Sequence, residues 1–345
     1  MPTGDLMARA QAGDGEAFRA LTEPYRRELQ VHCYRMLGSI HDAQDALQES
    51  LLSAWQGLAG FEQRASLRTW LYRIATNRCL NVRRAASRRE ARELIVSGIE
   101  VPEPTGLGEV VWLEPFPDVL LEGTTDNLPG PEAHYEQTES ISLAFITALQ
   151  LLPPRQLATL ILRDVLGFRT QEVAEMLEAS VDSIESVLKR ARIAMQRRRP
   201  AVDSPPPAPA SATEEAIAAR FVSAYEAADL DALLDLLTDD VFMSMPPIPL
   251  EYEGRAAVAG FCTAVFGAGR RLELVRTRAN GQPAFGAYLR GPDGVCHGTG
   301  LFVLTLRGER ISALTRFESS VLPWFDLPPS LHRLPGAARV AVPDS

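Results

Sequence analysis

Asp42, Asp45, Gln48 and Glu49 would set three carboxylates and an amide along one stripe of a helix. Such a stripe suits a basic protein surface. Shortly afterwards the charge reverses. Nine arginines (Arg64, Arg68, Arg73, Arg78, Arg83, Arg84, Arg88, Arg89 and Arg92) are accompanied only by Glu90, with Glu62 just before them. Phe61, Trp70 and Tyr72 are interleaved with this run, and Asn77 and Asn81 stand one turn apart. Guanidinium groups neutralise phosphate and stack on bases. Aromatic rings stack on splayed bases, and asparagine amides read base edges. The chemistry is recognition: a protein on one flank, unstacked nucleic acid on the other.

One helical hairpin positions both flanks. Ala43, Leu47, Ser50, Leu51 and Ala54 fall opposite the acids and read as core, and Trp70, Leu71, Ile74 and Leu80 recur at helical spacing as partly core. The segment DAQDALQES resembles the core-polymerase-binding helix of bacterial sigma factors. FEQRASLRTWLYRIATNRCLN resembles the adjoining −10 element reader of the extracytoplasmic-function (group 4) sigma factors. The resemblance implies that Asp42, Asp45, Gln48 and Glu49 contact the clamp helices of the largest polymerase subunit. It also implies that Arg64, Ser66, Arg68, Trp70, Asn77 and Asn81 lie at or beneath the surface that receives the melted non-template strand. Asn81 departs from the family's frequent Asp, which removes a charge close to the DNA.

The chain's 345 residues give room for two or three domains, and its net charge of −9 confines the basic block to one region of an acidic whole. The chain has no apolar run near 18 residues, signal peptide or lipidation motif, so a cytoplasmic protein that does not span a membrane is expected. Cys33, Cys79, Cys262 and Cys296 lack CxxC spacing, and His32 beside Cys33 has no second pair. Reduced thiols are expected, with no metal and no cofactor.

Composition divides the chain into 1–95, an acidic linker 96–138, 139–200, a Pro-rich linker 201–212, 213–330 and a tail 331–345. Residues 100–139 contain ten acids and neither Lys nor Arg, and Pro and Gly break them too often for a long helix. Trp112, Leu113, Phe116, Val119, Leu120 and Leu121 are its anchor points. DSPPPAPAS, at 203–211, reads as a semi-rigid tether.

In 139–200, Pro153 and Pro154 follow an apolar helix, and a second helix ends at Gly167. Thr170 is placed to cap TQEVAEML, and Ser180 or Asp182 to cap DSIESVLKRARIAMQRRR. Two helices about a tight turn read as helix-turn-helix. LPPRQLATLILRDVLGFRTQEVAEMLEASVDSIESVLKRAR resembles the sigma-factor −35 reader, which implies that Ser183, Ser186, Lys189, Arg190 and Arg192 face the groove or its phosphates. Glu178 stands where the family often has Gly, and Glu185 puts an acid in the recognition helix.

From residue 213, helices precede strands that alternate apolar and polar residues between NG, PDG and RGER turns. This half resembles the SnoaL-like, cone-shaped α+β domains of the nuclear-transport-factor-2 superfamily. The expected fold is therefore multidomain: two all-α sigma domains, one a helical bundle and one a helix-turn-helix, followed by an α+β SnoaL-like cone. The resemblance implies a promoter-specificity subunit whose partners are core RNA polymerase and promoter DNA, with the cone regulating activity in cis. An anti-sigma factor or a small ligand in the cone pocket stays open as a further partner. His297, Arg316, Tyr288 and Asp240 are the cone's candidate acid–base groups, but no pair has a spacing that demands chemistry, and no catalytic residue is expected. Two alternatives remain, a SnoaL-type enzyme tethered to a DNA-binding module and a dimeric helix-turn-helix repressor.

Overall fold

Polar side chains start the helices of the first half. The computed structural model describes residues 3–86, 101–107, 112–121, 140–198, 204–292 and 294–332. After α1 (Thr3–Gln11), the Asp14 carboxylate accepts from the Glu16 and Ala17 amides and opens α2 (Gly15–Leu37). Gly38, at φ +72°, closes α2 in the left-handed region. A Cβ there would also lie 2.9 Å from the Gln150 side chain and 3.1 Å from the Trp112 carbonyl, so glycine is required twice over. Ser39 accepts from the Asp42 amide to open α3 (Ile40–Gly57), and Ser66 accepts from the Thr69 amide to open α4 (Leu67–Ala86). These helices bury Leu29, Cys33, Met36, Leu47, Tyr72 and Cys79 between them. Arg88, Arg89 and Arg92 lie outside the described residues.

The helices of 140–198 follow the same rules. Ser142 caps α5 (Leu143–Gln150), and Pro154 takes the first position of α6 (Pro154–Leu160), where its missing N–H costs nothing. One π turn, Ile161–Val165, follows before Gly167 at φ +70°. The next helices are α7 (Thr170–Met176) and α8 (Val181–Arg198). Thr170 was expected to cap α7, but Arg169 occupies the cap. The Glu172 carboxylate reaches back to the Arg169 amide at 2.9 Å, so the acid three positions on supplies the bond. Ser180 accepts from the Ser183 amide and starts α8.

The described residues fall into two compact units. The first holds 3–86 and 112–198, and the second holds 101–107 and 204–332. The acidic linker therefore contributes to both. In the first unit, Leu113 and Phe116 are buried, and Phe116 lies 4.7 Å from the Tyr34 ring. Glu114 accepts from the Ser39 hydroxyl at 2.7 Å and lies 2.9 Å from His41 Nδ1, at the N-terminus of α3, where a carboxylate is favoured. In the second unit, the linker supplies strand β1 (Gly106–Leu107).

That second unit is a mixed sheet behind three helices. Helix α9 (Ala212–Ala227) and α10 (Leu230–Asp235), capped by Asp229, precede β2 (Leu237–Met245) and β3 (Ile248–Glu253). Helix α11 (Arg255–Gly267) then leads to β4 (Leu272–Ala279), β5 (Gln282–Arg290), β6 (Val295–Arg307), β7 (Arg310–Glu318) and β8 (Ser330–His332). The strand order is β1-β3-β2-β7-β6-β5-β4, with β8 on β6, and among the described residues only the β2–β7 pair is parallel. Asn280 and Gly281, both at positive φ, make the two-residue β4–β5 hairpin that the NG pair predicts. Phe221 and Tyr225 of α9 pack on Phe285 and Phe302 with ring centroids 5.1–6.4 Å apart, filling the concave side. Gly286 and Gly298 lie under Leu327 and Leu322, where a Cβ would come within 2.6 and 2.5 Å of those side chains.

Candidate nucleic-acid interface

On α3, Asp45, Gln48 and Glu49 are exposed and Asp42 is half-buried in the first turn, while Ala43, Leu47, Ser50 and Ala54 are buried behind them. The stripe ends on Leu52, an apolar side chain left 56% exposed one turn beyond Gln48. An exposed leucine in line with the acids extends the surface, and the i, i+4 spacing from Gln48 was the available signal for it. Glu49 is ion-paired with Arg78 of α4, so the two flanks of the hairpin touch at one point.

The six candidate residues around α4 differ in their surroundings. Arg64 is exposed and pairs with Glu62 at 2.6 Å. Ser66 spends its hydroxyl on the helix start, 2.8 Å from the Thr69 hydroxyl. Trp70 is half-buried, stacking on Phe61 at 4.7 Å and packing against the cluster containing Leu21 and Leu58. Arg68 pairs with Glu28 at 3.3 Å, and its guanidinium carbon sits 4.8 Å from the centroids of both Tyr72 and Phe168. Asn77 and Asn81 line a cleft of about 360 Å³ together with Leu80, Arg84, Arg155, Leu177 and Glu178. The Asn81 amide oxygen accepts from Arg84 at 3.0 Å.

Three of the groups facing α4 come from the helix-turn-helix of the same unit. Phe168 meets Tyr72 edge-on at 5.1 Å, the Thr69 hydroxyl donates to Glu172 at 3.3 Å, and Arg73 pairs with Glu178 at 3.2 Å. Glu178 holds φ +50° at the α7–α8 turn, a left-handed conformation that favours glycine and costs another residue about 1 kcal/mol. Sequence reasoning noted the missing glycine but not the ion pair that the longer side chain makes. The two helix groups are tied again at Arg83. This arginine donates to the carbonyls of Met36 (3.2 Å), Gln150 (3.1 Å) and Leu152 (3.2 Å), so a cation sits on the ends of α2 and α5. Arg35 donates to the Ser140 carbonyl at 3.1 Å and hydroxyl at 2.6 Å, and burial lowers its pKa to about 10.

On α8, Ser183, Ser186, Lys189 and Arg190 are exposed. Arg192 is held by Asp164 in two parallel bonds of 2.8 and 2.7 Å, which raise its pKa and turn its fork toward its own unit. Behind α4, His32 is fully buried, with Nε2 2.9 Å from the Thr76 hydroxyl and no partner for Nδ1 among the described residues. Burial, with the charges of Arg35 and Arg68, lowers its pKa to about 3, so the ring is neutral.

In the second unit the candidate acid–base groups do not converge. Tyr288 is buried, and its hydroxyl donates to the Pro328 carbonyl at 2.9 Å. Asp240 is exposed and bound by Arg307, which holds its carboxyl below the usual range. Arg316 donates to the Thr299 carbonyl at 2.7 Å, and burial lowers its pKa. His297 lies exposed on β6.

Family patterns match along the chain in the same order. Sigma-70 region 2 covers residues 21–89, Sigma-70 region 4 covers 142–195, and the SnoaL-like domain covers 218–314. The ECF RNA polymerase sigma factor SigG of Mycobacterium tuberculosis is 41% identical over 333 residues, spanning 91% of this chain and 85% of that protein. The chain belongs to the ECF sigma factors. The sigma factor is also similar to SigW of Bacillus subtilis, at 25% identity over 190 residues, 55% of this chain and 92% of SigW. Its fold is shared with the crystal structure of Mycobacterium tuberculosis SigJ (TM-score 0.54, 22% identity, 85% of this chain and 93% of that one). As a sigma factor, it binds core RNA polymerase and directs promoter-specific initiation. No helix among the described residues is long and apolar enough to cross a membrane.

Proposed function

We propose that the sigma factor divides its labour between the flanks of the α3–α4 hairpin. The exposed face of Asp45, Gln48, Glu49 and Leu52, with Asp42 at its start, docks on the basic clamp of the polymerase. Arg64, Arg68, Asn77 and Asn81 receive the melted strand of the −10 element, with Ser66 and Trp70 holding the helix that presents them. Ser183, Ser186, Lys189 and Arg190 address the −35 duplex. Strand capture stabilises the open complex because stacking and amide contacts replace lost base stacking, worth about 1–3 kcal/mol per base. The observation that carries this reading is the reversal of charge across one hairpin, with the acidic face left open to solvent. The protein acts beside the polymerase in the cytoplasm and performs no covalent chemistry of its own.

The second unit acts in cis on the acidic linker. Support comes from the linker's own bonds: Gly106 and Leu107 pair with Glu251 and Leu250, and the Thr105 amide donates to the Glu251 carbonyl at 2.9 Å. The Glu253 amide donates to the Thr105 hydroxyl at 2.7 Å, and the Tyr252 hydroxyl donates to the Pro102 carbonyl at 2.9 Å. A linker held as an edge strand is not free to follow a path through another protein. Thr105→Pro removes two of these bonds without touching the sigma domains. Promoter output from Thr105→Pro and from a chain ending at residue 203, each with core polymerase, should differ from that of the full chain. Unchanged output and unchanged polymerase affinity in both would contradict regulation in cis.

A further inference from the structure

We infer that the helix-turn-helix masks the strand-reading face of α4 by presenting the chemistry of a single-stranded nucleic acid, so that the free chain is self-inhibited for strand capture. This rests on the assignment of α4 as the strand reader.

A melted strand offers a π face and, at intervals, an anionic oxygen. The α6–α8 segment offers the same pair of groups to α4. The Phe168 ring lies 4.8 Å from the Arg68 guanidinium carbon and 5.1 Å from the Tyr72 ring, the position in which a base would sit between a cation and an aromatic edge. The Glu172 carboxylate accepts from the Thr69 hydroxyl at 3.3 Å, and the Glu178 carboxylate pairs with Arg73 at 3.2 Å, both as a phosphate oxygen would. The same helix turn closes one side of the cleft that Asn77 and Asn81 line, through Leu177 and Glu178. One ring and two carboxylates thus meet one side of the reader, at Arg68 with Tyr72, at Thr69 and at Arg73, which stand at i, i+4, i+1 and i+5. The backbone supports this reading. Glu178 keeps a left-handed conformation in which glycine would be strain-free, and its carboxylate is what that strain retains.

The mask does not cover the whole hairpin, since Asp45, Gln48 and Glu49 stay exposed on α3. Polymerase can therefore dock first, and opening the contact between the two helix groups uncovers the reader only once polymerase is present. The free chain avoids binding single strands at large.

The test locks the contact. Arg73→Cys with Glu178→Cys in the full chain places two exposed thiols across it, while the four native cysteines are buried. A short bis-maleimide bridges the engineered pair, and the same variant capped with a mono-maleimide is the control, so both forms lack the same side chains. The probe is a mixed-sequence single-stranded oligonucleotide at low salt, read by fluorescence anisotropy without polymerase. The capped chain should bind about tenfold or more tightly than the bridged chain, the scale of one lost stacking contact. Equal affinity of the two forms overturns the mask. In a second variant, Glu172→Gln with Glu178→Gly removes both carboxylates and keeps a capping side chain on α7. It should bind the oligonucleotide more tightly than the native chain, and an unchanged affinity again overturns the proposal. Run-off transcription with core polymerase separates the two readings. Transcripts from the bridged chain equal to those from the capped chain overturn the mask. A capped chain that holds oligonucleotide tightly but directs no transcript contradicts the promoter reading while supporting the mask.

Discussion

The two flanks of one hairpin are in opposite states. On α3, Asp45 and Glu49 are exposed, and Glu49 reaches α4 through Arg78. On α4 the residues suited to a nucleic-acid strand are met by Phe168, Glu172 and Glu178 of the same chain. On the proposed assignment, the difference makes protein docking and strand capture separable steps, although they are built on adjacent helices. The acidic flank would need no rearrangement to bind, whereas the basic flank would exchange internal partners for external ones.

The largest effect that would break this comparison comes from reversing the open flank. Asp45→Lys with Glu49→Lys should weaken core-polymerase binding by about a hundredfold, since like charges meet across the interface. Surface plasmon resonance against immobilised core polymerase reads it directly. Arg68→Ala with Asn77→Ala should leave that affinity within about twofold and reduce open-complex formation by about tenfold or more, measured by permanganate footprinting. Equal losses of docking and opening in this variant would show that the flanks are not separable.

A third prediction sharpens the comparison from beneath. His32 is neutral in the folded state, with its pKa lowered to about 3, while the unfolded chain takes up the proton near the ordinary value of 6.5. The unfolded state then binds more protons as pH falls below 6.5, so stability present above that value is lost progressively toward pH 3. Between pH 6.5 and 5 this one group should cost the first unit about 2 kcal/mol. His32→Gln should flatten that part of the profile in chemical denaturation followed by the fluorescence of Trp55 and Trp70. The smallest effect is on α8. Arg190→Ala should weaken −35 duplex binding severalfold, whereas Arg192→Ala, whose fork is committed to Asp164, should change it by less than about twofold. Competition binding with a promoter duplex distinguishes them.

Much of this was legible in the chain because the relevant signals are local. Helical spacing fixed which side of α3 is buried, Ser180 starts α8 from the adjacent residue, and NG makes its hairpin. The Thr170 cap is misplaced by one residue because Glu172, three residues beyond Arg169, reaches back to the Arg169 amide, so Arg169 takes the cap and Thr170 the first helical position. The mask on α4 was not legible. Thr69 and Glu172 are 103 positions apart, and nothing periodic in either segment marks the other. Strand β1 was hidden for a related reason: two residues in a Pro- and Gly-broken stretch show no alternation, and they become a strand only because β3 offers an unpaired edge.

Transcription reconstituted from purified core polymerase, this sigma factor and a library of genomic fragments tests the central claim most directly. The account predicts discrete transcripts that appear only when the chain is added and that begin at a constant distance from a shared pair of −35 and −10 sequences. Transcripts no different from those of core polymerase alone would contradict it.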